Sequence, residues 1–120
     1  MRSKVAVLAK FPTGYSLRLT EAQADLIKEV LAYHFYRDEG GCGTIICLGV
    51  DRKGVGELLK KVDHSRIELS IFEIHVLYAS LTCTPAMIAS DEAFFERIGY
   101  FRENALELAR GFLAVGGAPR

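Results

Sequence analysis

Apolar and polar positions change their period several times along this chain, and each change marks a predicted element. The segment KVAVLAKF (4–11) is rich in Val and Leu and reads as a strand ending at Pro12. PTG then supplies turn chemistry, and YSLRL (15–19) alternates apolar with polar as a half-buried strand does, which predicts an N-terminal β-hairpin. Thr20 stands as an N-cap with Gln23 three residues on, a capping box that opens a helix. That helix is expected to run to about Arg37 and to stop at Gly40 and Gly41, where glycine accepts a left-handed helix end. TIICLGV (44–50) is a continuous, β-branched apolar run, the mark of a central strand covered on both faces. DRKG (51–54) is read as a turn and GELLKKV (56–62) as a short helix.

The second half partly echoes the first. LRLTEAQADLIKEVL (17–31) and IELSIFEIHVLYASL (67–81) correspond at an offset of fifty, with Ile67 and Leu69 for Leu17 and Leu19, Ser70 for Thr20 and Glu73 for Gln23. Both are a short strand entering a boxed helix, and convergence on one local solution is sufficient to explain the likeness. The second helix, over 71–83, is apolar nearly all round, which predicts a central position covered by neighbours; Pro85 is expected to end it. Ser90 caps the next helix, with Asp91 and Glu92 in its first turn. On a wheel, Phe94, Ile98, Phe101, Ala105, Leu108 and Phe112 share one stripe across Gly99. The unbroken register predicts a single long C-terminal helix over 91–114, with the aromatic cluster FFERIGYFREN (94–104) mostly in the core.

These elements predict an α+β fold in a single domain over 1–120. Its small sheet has three to four strands, the N-terminal hairpin plus the central strand, with the helices packed mainly on one face. Half the residues are hydrophobic and a quarter charged, the balance of a globular protein. Fifteen basic residues offset fifteen acidic ones, which speaks against nucleic acid as a partner. No apolar run reaches the length of a membrane span, and the N-terminus reads as mature structure. Three cysteines, Cys42, Cys47 and Cys83, form no CxxC pair, and the expectation is reduced thiols in a cytoplasmic protein.

Candidate chemistry is confined to residues that disobey the patterning. Arg102 falls inside the apolar arc of the last helix, where it either snorkels, joins a buried ion pair (Glu73 being the first acid to name) or presents its guanidinium to an anion or partner. His34 sits in the apolar arc of the first helix, with a hydrogen-bonded core role and a general acid/base role both open. Glu73 has an explanation as the reciprocal partner of Ser70, and His75 is a rim residue or a second polar core group. No HxxxH or CxxC spacing supports a metal, and no cofactor motif is present; GGCG precedes a strand rather than a helix, the wrong polarity for a phosphate cradle. Cys47, in its expected strand, and Cys83, near a proline, have no evident activating base.

Two functions follow as expectations. The first is a non-catalytic cytoplasmic interaction module (an adaptor, an inhibitor or an oligomer subunit), acting with a protein partner or as a two-fold homodimer. Apolar residues off the core stripes, Phe35, Tyr36, Phe72 and Val76, favour it. The alternative is a small-molecule-binding protein or small enzyme, its pocket lined by His34, Glu73, His75 and Arg102. Convergence of those four would favour the second, and separate partners the first.

Overall fold

The computed structural model describes residues 3–37 and 42–117. The fold is α+β. Its described elements are β1 (Ala6–Phe11), β2 (Gly14–Arg18), α1 (Glu21–Phe35), α2 (Cys42–Leu48), α3 (Arg52–Lys61), β3 (Ile67–Ser70), α4 (Ile71–Met87), α5 (Asp91–Ile98) and α6 (Arg102–Val115).

The sheet runs β1-β2-β3, antiparallel throughout, so the hairpin strand β2 is central and β1 and β3 are edges. The register slips between Val7 and Ala9, where Leu8 forms an irregularity in β1. Leu17 lies opposite Ile67 and Tyr15 opposite Leu69. Leu17, Ile67 and Leu69 are buried, whereas five of the six β1 residues are exposed and the sixth half-buried. The edge strand is therefore covered poorly on either face.

Both capping boxes form. Thr20 Oγ1 accepts from the Gln23 amide while the Gln23 side chain accepts from the Thr20 amide, and Ser70 and Glu73 reciprocate in the same way. β3 thus runs into α4 without a linker, and the Ile71 amide donates to the Thr13 carbonyl (2.9 Å), tying the start of α4 to the hairpin turn. α4 is central, contacting α1, α2, α6 and β3. Leu26, Ile27, Val30, Leu31, Leu77, Leu81, Phe94 and Leu108 build the core between these helices. Gly111 lets the N-terminal segment lie on α6, because a Cβ there would collide with the Ser3 carbonyl.

The structure corrects four expectations. The run 44–50 is not a central strand; it lies largely in helix α2, and the third strand of the sheet is β3 instead. A short apolar run has no period to separate strand from helix. As a helix, it buries Thr44, Cys47 and Leu48 at spacings of three and four, while Ile46 is left 85% exposed. DRKG is not a turn but the first turn of α3, capped by the Asp51 carboxylate on the Gly54 amide (3.0 Å). Pro85 lies inside α4, which continues two residues past it; so close to the helix end, the missing amide costs little further structure. The expected stop of α1 at Gly40 and Gly41 lies outside the described residues, and α1 already ends at Phe35.

The fourth correction concerns the C-terminus, which is two helices rather than one long one. Gly99 adopts φ +85°, a left-handed cap that ends α5, and α6 begins at Arg102 with the Asn104 side chain accepting from the Phe101 amide (3.1 Å). The common stripe survives because both helices face the same core: α5 packs on α1 and α6 on α4, burying Phe94 and Ile98 in one and Ala105, Leu108 and Phe112 in the other. Shared register reports a shared core, not a continuous backbone. Phe101, at the break, is exposed and stacks on exposed Phe95 (4.8 Å between centroids), so the aromatic cluster is only half core.

Candidate functional site

The four polar residues singled out in the sequence each find a separate partner. Glu73 pairs with Lys61 (2.9 Å) besides capping α4. Burial pushes its carboxyl up, but the Ser70 amide and Lys61 together prevail and hold it below the ordinary range. Arg102 does not meet Glu73. Its Nε lies 3.0 Å from Asp91 Oδ1, its Nη2 donates to the Ile88 carbonyl (3.2 Å), and its guanidinium sits over Phe94. The connection between α5 and α6 explains this: the left-handed turn at Gly99 brings the start of α6 back toward the first turn of α5, where Asp91 stands. His75 is exposed beside the Phe72 ring (6.3 Å between centroids). His34 is buried.

His34 is the centre of a polar cluster between α1, α2 and α4. Nδ1 lies 3.0 Å from Thr44 Oγ1 and Nε2 lies 2.8 Å from Thr84 Oγ1. A hydroxyl both donates and accepts, so either neutral tautomer is satisfied on both nitrogens. Burial lowers the His34 pKa to about 4, with the Arg37 charge contributing, so the ring is neutral at pH 7.

Cys47 Sγ is 4.0 Å from His34 Nε2, and Cys47 is joined to Cys83 across the α2–α4 contact, with their Cα atoms 5.6 Å apart. This corrects the expectation of three reduced thiols; Cys42 alone is free and exposed. The pairing was hidden by the strand reading of 44–50, which assigned Cys47 no particular helix face. Thr44 and Thr84 were missed for a related reason. Thr44 stands three residues before Cys47, but only the helical form of α2 turns both toward His34, and Thr84 meets that ring only through the α1–α4 contact.

The second notable place is an open apolar surface at the other end of α4. One hollow of about 260 Å³ is lined by Tyr15, Ile71, Ile74, His75, Tyr78 and the end of α6 at Phe112, Leu113 and Val115. Another of about 480 Å³ lies between Lys4–Val7 and the same end of α6, at Gly111, Ala114 and Val115. Val115 lines both, so the two hollows of this apolar groove adjoin at the end of α6. Val7 (47% exposed), Ile71 (55%) and Leu113 (43%) line it, and Phe72 (55%) stands next to it beside the lining His75. Of the four polar candidates, His75 lines this groove and the others stand elsewhere.

Of the off-stripe apolar residues, Phe72 and Tyr36 are exposed, Phe35 is half-buried against α3, and Val76 is fully buried, since α4 is covered at that position. Val7 and Leu113 carry no such signal in the sequence, because each belongs to an element whose other residues are ordinary strand or core positions. Among the described residues no helix is long and apolar enough to cross a membrane. No protein-family model, curated protein or solved structure matches this chain.

Proposed function

We propose that this chain is a non-catalytic interaction module that works as a subunit of a two-fold homodimer, joined through β1 and the adjoining groove. The observation that carries the proposal is the open apolar surface around Val7, Ile71, Phe72 and Leu113, bordered by an edge strand exposed on both faces. Exposed apolar patches above a few hundred Å² mark interaction sites, and an unpaired edge strand is a template for another strand.

A second copy suits this surface better than an unrelated partner. Antiparallel pairing of β1 with its own copy about a two-fold axis satisfies both free edges with one contact, and such closed dimers are the commonest soluble oligomers. The axis would fall near mid-strand, which keeps the two Lys10 ammonium groups at opposite ends. The rim side chains are each about half exposed, so they supply only part of the ~800 Å² each partner contributes to a standard interface, and the exposed faces of β1 would supply the rest. The separate partners of His34, Glu73, His75 and Arg102 weigh against the reading as a small-molecule pocket. The cytoplasm is the proposed compartment, where a Cys47–Cys83 bond would be cycled rather than permanent.

Sedimentation velocity over a range of micromolar concentrations tests the proposal. The expected result is a dimer that Val7→Glu with Leu113→Glu converts to a folded monomer. A wild-type monomer throughout the range overturns it.

A further inference from the structure

The cysteine pair is asymmetric in two ways. Cys47 is buried, whereas Cys83 is half-buried and is the more exposed residue of the two. On the other side, Cys47 faces His34, whose Nε2 stands 4.0 Å from its sulfur. We propose that Cys47–Cys83 is a reversible thiol–disulfide exchange site for a low-molecular-weight thiol, which enters at Cys83 and releases Cys47 toward His34.

The chemistry follows from that placement. The incoming thiolate attacks Sγ of Cys83, the more exposed residue of the pair, and forms a mixed disulfide there. The Cys47–Cys83 bond breaks and its electron pair leaves on Cys47 Sγ. A second thiol attacks the mixed disulfide, so that two thiols are oxidised to one small disulfide and the protein pair is reduced to two thiols. The two protons released by the small thiols end on Cys47 and Cys83. His34 acts on the departing sulfur. With its proton on Nε2, the ring accepts from the Thr44 hydroxyl at Nδ1 (3.0 Å) and turns its N–H toward Cys47 and Thr84. A neutral N–H donor beside a buried sulfur favours the thiolate as leaving group without placing a second charge in the core. The consequence falls on α2. It has seven residues, too few to hold a helix alone in water, and reduction removes its covalent tie to α4.

The test uses the full chain with Cys42→Ser, which removes the third thiol. The oxidised protein is treated with reduced glutathione under native conditions, quenched with an alkylating agent and mapped by peptide mass spectrometry. The mixed disulfide is expected on Cys83, exceeding that on Cys47 by about tenfold. Should single-cysteine variants fold poorly, this mapping on the paired protein still decides the direction. Adduct on Cys47, an equal split, or a bond that reduces only after denaturant is added overturns the proposal, as does finding the pair unjoined in air-oxidised protein. For His34 as a positioning residue, the readout is the pH profile of Cys47 alkylation in reduced protein. His34→Leu, which removes the N–H donor, is expected to move it to higher pH, and an unchanged profile removes His34 from the site.

Discussion

The two ends of α4 stand in opposite relations to water. At its C-terminal end a histidine, two threonines and Cys47 are enclosed, with the half-buried Cys83 at their edge, and both ring nitrogens of His34 have hydroxyl partners. At its N-terminal end Ile71, Phe72, Tyr78 and the tip of α6 form an apolar surface left open. The first region puts polar groups inside and satisfies the imidazole internally. The second puts apolar groups outside, and among the described residues leaves them uncovered, which is the feature the proposed dimer would use. The unusual residue types draw attention to the first region, but the exposed apolar side chains lie in the second.

The largest expected effects break the enclosed end. Replacing both Cys47 and Cys83 by serine removes a cross-link spanning 36 residues, and should lower stability by about 3–4 kcal/mol in urea unfolding of the oxidised protein. An unchanged midpoint would mean that the pair does not hold α2 to α4. His34 adds a pH dependence whose sign is fixed by its depressed pKa, about 4 in the folded chain against about 6.5 unfolded. The contribution is fully present above pH 6.5, where the ring is neutral in both states. It is lost as pH falls through 6.5 toward 4, because the unfolded chain then binds the proton first. The loss should reach up to about 3 kcal/mol, and His34→Gln should flatten that part of the profile. Parallel profiles for the two proteins would contradict the enclosed, neutral imidazole.

Smaller effects sharpen the account of the C-terminal helices. Gly99→Ala should destabilise by about 1 kcal/mol, because alanine is strained at positive φ. In one continuous helix the same change would stabilise by about as much, so the sign alone decides between the two. Arg102→Ala should cost under about 1 kcal/mol, since its partner Asp91 is exposed and the pair is solvent-screened. A loss of 3 kcal/mol or more would instead indicate a buried pair.

These particulars explain what was legible in the sequence. The hairpin and three helix starts were readable because Pro12, Gly14, Thr20 with Gln23, Ser70 with Glu73, and Ser90 act within four residues of themselves. The helix α2 was not, because a seven-residue apolar run acquires a face only when α1 and α4 are present to cover it. The break at Gly99 was hidden by the reverse effect: two helices on one core keep a common stripe through a left-handed turn. His34 was correctly placed in its apolar arc, but its partners lie 10 and 50 residues away, beyond any local pattern. The groove left still less trace, since its residues come from β1, α4 and α6, and only their assembly leaves Val7 and Leu113 uncovered.

Amide hydrogen exchange of the wild-type chain at low and at high micromolar concentration compares the two ends directly. Association through the open surface predicts that raising the concentration slows exchange along β1 and at the end of α6, and leaves α2 unchanged. Identical exchange at both concentrations, or protection confined to α2, would contradict it.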